Sequence, residues 1–203
     1  GELRRAKELI DGGRLGRISM GVDSMCFSGH GWKMWNWRKE LSGGGPMIRD
    51  GVHGVDRLRW LIGSEIKEVY AKQGNYAHPV SQEEDNAVAI LGFENGAIAS
   101  MMQNWSEFKS PTHCDLYIYG TNGLIRIKTW HSLQFNTFGE GWVQTRMPGE
   151  NNLRDEQEAF LDAILEDRTP PITGEDGKIA LAVILAIYAS AESGKPVSLK
   201  EML

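Results

Sequence analysis

Six short segments of alternating apolar and polar residues follow one another through the middle of the chain, around residues 66–73, 85–93, 97–105, 114–119, 124–128 and 132–136. Alternation at period two sends successive side chains to opposite faces, so these segments predict consecutive strands of a largely antiparallel sheet. Glu94-Asn95-Gly96 and Thr121-Asn122-Gly123 place Asn-Gly where a tight hairpin needs positive φ. Helical spacing flanks the strands: residues 3–10 read as a short helix stopped by Asp11-Gly12-Gly13, with an extended run over 18–26 after it. Residues 27–45 have no steady period and read as a loop. A helix then runs from Pro46, tolerated in the first turn, to Ile62, with Gly63 as its C-terminal cap. In the tail, Leu153, Phe160, Leu161, Ile164 and Leu165 make one apolar face behind an Asn152 cap. Residues 179–191 are apolar almost all round and predict a well-buried last helix.

This pattern predicts one α+β domain over residues 1–203, a predominantly antiparallel open-faced sheet with helices packed on one face. The uncovered face must meet water or another copy. Apolar strand positions Val88, Ile90, Ile98, Met101, Met102 and Trp105 favour a homo-dimer or tetramer through the sheet face.

Charge narrows the function classes. A net charge of -5 gives no surface for neutralising phosphates, so no nucleic-acid partner is expected. The apolar run 179–189 is shorter than the roughly 18 residues that cross a bilayer, and no signal peptide is evident, so a cytoplasmic protein with no membrane partner is expected. Cys26 and Cys114 read as buried thiols of a reducing compartment. Neither has a partner at zinc spacing, and His30, His78, His113 and His131 are scattered, so no metal is expected; His113 is a distant pocket candidate. No Gly-x-Gly-x-x-Gly turn and no βαβ alternation occurs, so no cofactor-binding residues are expected in these 203 residues.

The helix after Gly43-Gly44-Gly45 carries the chemical signal. On a helical wheel Ile48, Gly51, Val52, Val55, Leu58 and Ile62 share one face, which should pack on the sheet. Arg49, His53, Asp56 and Trp60 form a second stripe, with Asp50 on its flank. Imidazole is the side chain whose ordinary pKa suits proton exchange near neutrality, which makes His53 the candidate acid/base and Asp50 its candidate carboxylate partner. Trp37 and Arg38, just before the glycines, are candidates for the pocket mouth, with Arg38 able to hold a hydroxyl or carboxylate. Asp56 fits a structural role. The same stripe also fits the ordinary polar side of a soluble helix.

The glycine run, the Gly51-Val52-His53-Gly54-Val55-Asp56 core and the Leu58-Arg59-Trp60-Leu61-Ile62-Gly63 end resemble the signature helix of the C-terminal domain in the glucose–fructose oxidoreductase/inositol dehydrogenase/MocA (Gfo/Idh/MocA) family. Residues 10–18, Trp37-Arg38 and the tail segments 158–164, 174–177 and 190–197 extend the resemblance over nearly the whole chain. It implies a substrate-binding and oligomerisation domain of a two-domain oxidoreductase acting on CH–OH groups of a sugar, polyol or dihydrodiol. Its partner would be its own N-terminal Rossmann domain, which would bind NAD or NADP and supply a lysine from a Glu-Lys-Pro motif. The position matched by His53 would assist removal of the hydroxyl proton. Many members have Asp four residues before that histidine, where Arg49 stands here. Either Asp50 takes over through a local irregularity, or Arg49 binds an anionic substrate group. A third reading makes the chain a non-catalytic oligomerisation or ligand-binding module.

Overall fold

The computed structural model describes residues 1–28, 34–106, 113–129, 132–145 and 152–202. Helix α1 (Glu2–Asp11) leads into strand β1 (Ile18–Ser28). Within the stretch expected as loop lie a 3-10 turn (Met34–Trp37) and the one-turn helix α2 (Lys39–Ser42). The helix expected from Pro46 to Ile62 is interrupted: α3 (Pro46–Arg49) stops at Asp50 and α4 (Gly51–Ile62) restarts after it. Then come β2 (Ile66–Gly74), β3 (Asn86–Phe93), β4 (Ile98–Ser106), β5 (His113–Gly120), β6 (Gly123–Lys128), β7 (Ser132–Thr137) and β8 (Gly141–Thr145). Helices α5 (Asn152–Leu165) and α6 (Gly174–Ser193) and the short strand β9 (Val197–Ser198) close the chain.

The strands form one sheet in the order β8-β7-β6-β5-β1-β4-β3-β2-β9. β1 runs parallel to β4, and the other neighbouring pairs are antiparallel. The α+β class and the open-faced, mostly antiparallel sheet are as the alternation predicts. β8 and β9 are additions at the two edges.

Both predicted hairpins form, by different means. Gly96 has φ +85° and ends the β3–β4 turn as the positive-φ reading requires. Gly123 is not in that region; a Cβ there would collide with the carbonyl of Asn136 on β7, so close strand approach is what demands glycine.

The core lies between one face of the sheet and helices α1, α4 and α6. Val55, Leu58 and Leu61 of α4 and Val183, Ile184 and Ile187 of α6 are fully buried against Leu91, Phe93, Ile118 and Ile125. Parity along β3 and β4 corrects one expectation: Met101 points into this core and Trp105, on the same parity, is buried at the end of β4, while Val88, Ile90, Ile98 and Met102 lie on the open face. Two more corrections concern the helices. α6 buries one side but leaves Leu181 and Leu185 partly in water, and α5 exposes its expected core face altogether. Cys114 is buried as expected, but Cys26, on the open-face parity of β1, is half-exposed. No helix among the described residues is long and apolar enough to cross a membrane.

Candidate functional site

The glycine run before α3 owes its composition to a buried carboxylate. Glu84 accepts hydrogen bonds from the backbone N–H groups of Gly45 and Met47 at 3.0 Å each, and from the hydroxyl of Tyr188 at 3.0 Å. That hydroxyl oxygen in turn accepts the N–H of Ile48 at 3.2 Å. Pro46 has no N–H, so the first-turn donors of α3 are all satisfied from outside the helix. A Cβ on Gly45 would collide with the carbonyl of Glu84, which is why this approach needs glycine. Burial pushes the Glu84 carboxyl up, and its three donors pull it partly back.

With its start fixed, α3 delivers Arg49 and Asp50 to the end of β4. Asp50 has φ -107° and ψ -29°, and its N–H still bonds Pro46 O at 2.8 Å. Its carboxylate does not cap α4 but accepts the indole N–H of Trp105 at 2.9 Å. Burial raises the Asp50 pKa, opposed by the Trp105 donor, by Arg49 and by the charge of His53 when protonated. Arg49 donates to Asn36 Oδ1 at 2.7 Å, and its guanidinium carbon lies 5.7 Å from the Trp105 ring centroid. Its Nε is 4.0 Å from Asp50 Oδ1. Trp35, Asn36, Gly44, Ile48, Arg49 and Trp105 line a cleft of about 250 Å³. A larger hollow, about 430 Å³, lies on the open face of the sheet among Tyr117, Tyr119, Arg126 and Trp142.

Trp37 is buried behind this cleft rather than at its mouth. Its ring lies against His78, tilted by 30° with centroids 4.3 Å apart, and meets Trp105 edge-on at 5.5 Å. His78 Nε2 lies 3.1 Å from the Trp105 carbonyl oxygen, which can only accept, so Nε2 carries the proton. Trp37 thus supports Trp105, and the exposed Trp35 takes the lining position. Arg38 is exposed ahead of α2 and is not part of the cleft lining; its carbonyl accepts the N–H groups of Leu41 and Ser42.

His53 is exposed in the first turn of α4, its N–H bonded to Asp50 O at 3.2 Å. It is outside the lining of the Arg49 cleft. At the break His53 bonds back to Asp50 O rather than to Arg49 O, and Arg49 lines the cleft while His53 does not. Beneath α4, fully buried Asp23 of β1 accepts Arg57 Nη2 at 2.6 Å. A Cβ on Gly54 would sit 2.8 Å from Asp23 Oδ1, so the glycine after His53 lets the helix lie against this carboxylate. Burial raises the Asp23 pKa, opposed mainly by Arg57 and more weakly by His53. Gln103, 1 % exposed, also lies under α4, and neither of its amide atoms has a hydrogen-bond partner among the described residues. The site thus draws in Asp23, Asn36, Glu84, Gln103 and Trp105 beyond the residues named from sequence. His113 lies elsewhere, on the open face, 3.2 Å from Ser24 Oγ. His30 and His131 fall outside the described residues.

The sequence model of the GFO/IDH/MocA C-terminal domain matches residues 3–126. The 1,5-anhydro-D-fructose reductase of Ensifer adhaerens is 25% identical over 203 residues, covering 97% of this chain and 60% of its own. The myo-inositol 2-dehydrogenase of Thermotoga maritima is 24% identical over 177 residues, covering 79% of this chain and 51% of its own. The fold is shared with a levoglucosan dehydrogenase solved with NADH and levoglucosan, at TM-score 0.85 and 21% identity over 95% of this chain and 62% of that one. The chain spans about half to three fifths of the length of these relatives. On the match over residues 3–126 and the shared open-sheet architecture, the chain belongs to the GFO/IDH/MocA family, in the part described as its C-terminal domain.

Proposed function

We propose that this chain is the substrate-binding and assembly half of an NAD(P)-dependent oxidoreductase acting on a CH–OH group of a sugar, polyol or dihydrodiol. The family assignment and relatives named as dehydrogenases and reductases of such compounds support this reading. So does the absence of a glycine-rich dinucleotide turn from these residues, which leaves the nucleotide to a separate half. The observation that carries the proposal is an accessible imidazole at His53, one turn from the half-buried Asp50 carboxylate and above buried Asp23.

When bound, the nicotinamide supplies hydride acceptance and return. On oxidation, His53 receives the hydroxyl proton as the carbinol hydrogen leaves with its electron pair, so the substrate loses one proton and one hydride. Asp50, fixed by Trp105, stabilises the imidazolium so formed. Arg49 and Asn36 bind the polar end of the substrate in the cleft, Arg49 suiting a carboxylate there. Trp37 acts through Trp105, and the exposed Arg38, next to Trp37 in the chain, holds a hydroxyl or carboxylate of the substrate.

The open sheet face, with Val88, Ile90, Ile98 and Met102 exposed, is assigned to a dimer or tetramer contact. The two free thiols suit a cytoplasmic location. Arg49 in place of the family's usual aspartate favours one other reading, a ligand-binding module without turnover.

The test uses the polypeptide with its natural upstream residues, mixed with NAD+ or NADP+ and a panel of polyols, sugars and sugar acids. Growth of the reduced-nicotinamide absorbance supports the enzyme reading. Substrate binding without any absorbance change supports the module.

A further inference from the structure

Asp23 of β1 is fully buried beneath α4, and its two carboxylate oxygens face different neighbours. Oδ2 accepts Arg57 Nη2 at 2.6 Å. Oδ1 has no hydrogen-bond partner among the described residues, and it is the atom nearest to where a Cβ on Gly54 would stand, at 2.8 Å. A buried carboxylate oxygen without a donor is costly, so hydrogen bonding alone does not account for an acid here. Glycine at position 54 seats the helix on it, because a Cβ would strike both Oδ1 and, at 2.9 Å, Met101 Sδ.

His53 precedes that glycine, and Arg57 follows His53 by four positions, so the two share one stripe of α4. Arg57 ties the helix to β1 through Asp23 and reaches Thr129, after β6, at 3.4 Å. Its guanidinium is only 10% exposed, so water and salt screen its charge weakly. Alone, that cation one turn from the imidazole would oppose protonation of His53. The other charged groups around His53 are Asp50 and Arg49 of α3 and Asp56 of α4, with Asp176 of α6 facing Asp56. Burial pushes the neighbouring Cys114 thiol of β5 up to about 11, so it stays neutral. Burial raises the Asp23 carboxyl too, opposed by Arg57 and then by His53, which places the imidazole within its field. Among the three carboxylates around His53, Asp23 alone is fully buried.

We propose that Asp23 is a positioning residue for proton acceptance by His53, cancelling the charge of Arg57 beneath the imidazole. This rests on the reading that His53 is the acid/base. It adds the buried group that lets His53 take the hydroxyl proton while Arg57 anchors the helix that carries it.

The experiment titrates the full polypeptide by NMR, with ¹³C in histidine rings and aspartate carboxyls, and follows kcat/KM against pH in parallel. Asp23→Asn is expected to move the His53 midpoint down by about half a unit or more, because an uncancelled cation disfavours the imidazolium. The acid limb of kcat/KM should move with it. Asp23→Leu with Arg57→Leu is expected to return both to the wild-type positions, which loss of a packing contact does not do. The reverse coupling needs no change in the core: His53→Ala should raise the Asp23 midpoint, since coupling between two proton sites is reciprocal. An unmoved His53 midpoint in Asp23→Asn overturns the inference and leaves the functional reading standing. If that variant does not fold, an unmoved Asp23 midpoint in His53→Ala does the same. A limb displaced equally in the single and double variants assigns the pair to packing and overturns the inference as well. Absence of turnover with every polyol, sugar and sugar acid overturns the functional reading and the inference with it.

Discussion

The indole N–H of Trp105 donates to the Asp50 carboxylate at 2.9 Å, across the gap where α3 stops and α4 begins. A side-chain bond from β4 thereby replaces the local cap that Asp50 would otherwise give α4. It holds a half-buried carboxylate one turn from His53 and sets the upper edge of the Arg49 cleft.

Removing that donor changes the titration of Asp50. Burial already raises its pKa, and the indole hydrogen bond favours the charged form. Trp105→Phe keeps an aromatic side chain but deletes the indole N–H, so the Asp50 pKa rises further and the carboxyl stays protonated to higher pH. A ¹³C-carboxyl NMR titration checks this; an unchanged Asp50 midpoint contradicts it.

Asp85 predicts acid sensitivity. Burial pulls its pKa up, but the N–H groups of Tyr76, Ala77 and His78 and the Asn86 amide outweigh burial and hold it below the usual carboxylate range. A folded pKa below the unfolded one gives stability that is present above the unfolded value, about 3.9, and is lost as pH falls through the folded value. Urea midpoints should therefore drop below about pH 4 in the wild type, and the slope in that window should flatten in Asp85→Asn.

The Asp23–Arg57 pair should behave as a unit. Asp23→Ala strands a guanidinium that is only 10% exposed, with an expected loss of about 3–5 kcal/mol. Replacing both by leucine should recover most of that. Chemical denaturation of the three proteins checks the order, and equal losses in single and double variants contradict it.

The open face predicts assembly. Ile90 and Ile98, 55% and 53% exposed on β3 and β4, are the positions to charge. Ile90→Lys with Ile98→Lys should lower the sedimenting mass and leave the far-UV circular dichroism of the folded chain unchanged, because neither side chain contributes to the core; an unchanged sedimenting mass contradicts assembly through this face.

The sheet was legible because alternation is a backbone property, expressed over 66–136 in nearly every strand. β8 escaped because four of its five residues are exposed and carry no burial alternation. Parity alone would have set Trp105 with Met101 inside and Ile98 with Met102 outside; apolar residues on both faces of β4 hid it. Asp23 was readable in the same way, sharing parity with Gly21 and Met25. The break at Asp50 was not, because the partner its carboxylate takes instead of the helix is a tryptophan 55 positions away. Glu84 lies in a stretch without period, and Trp37 in one that reads as loop, so their burial depends on tertiary contacts. α5 reads as a core helix in any single-domain account, since its pattern specifies an apolar partner and not which one.

The most direct test of the account is turnover of the full polypeptide carrying His53→Ala, followed at the reduced-nicotinamide absorbance with cofactor affinity measured alongside. The account predicts kcat lowered about 100-fold or more with NAD(P)H affinity unchanged. Turnover equal to the wild type would contradict it.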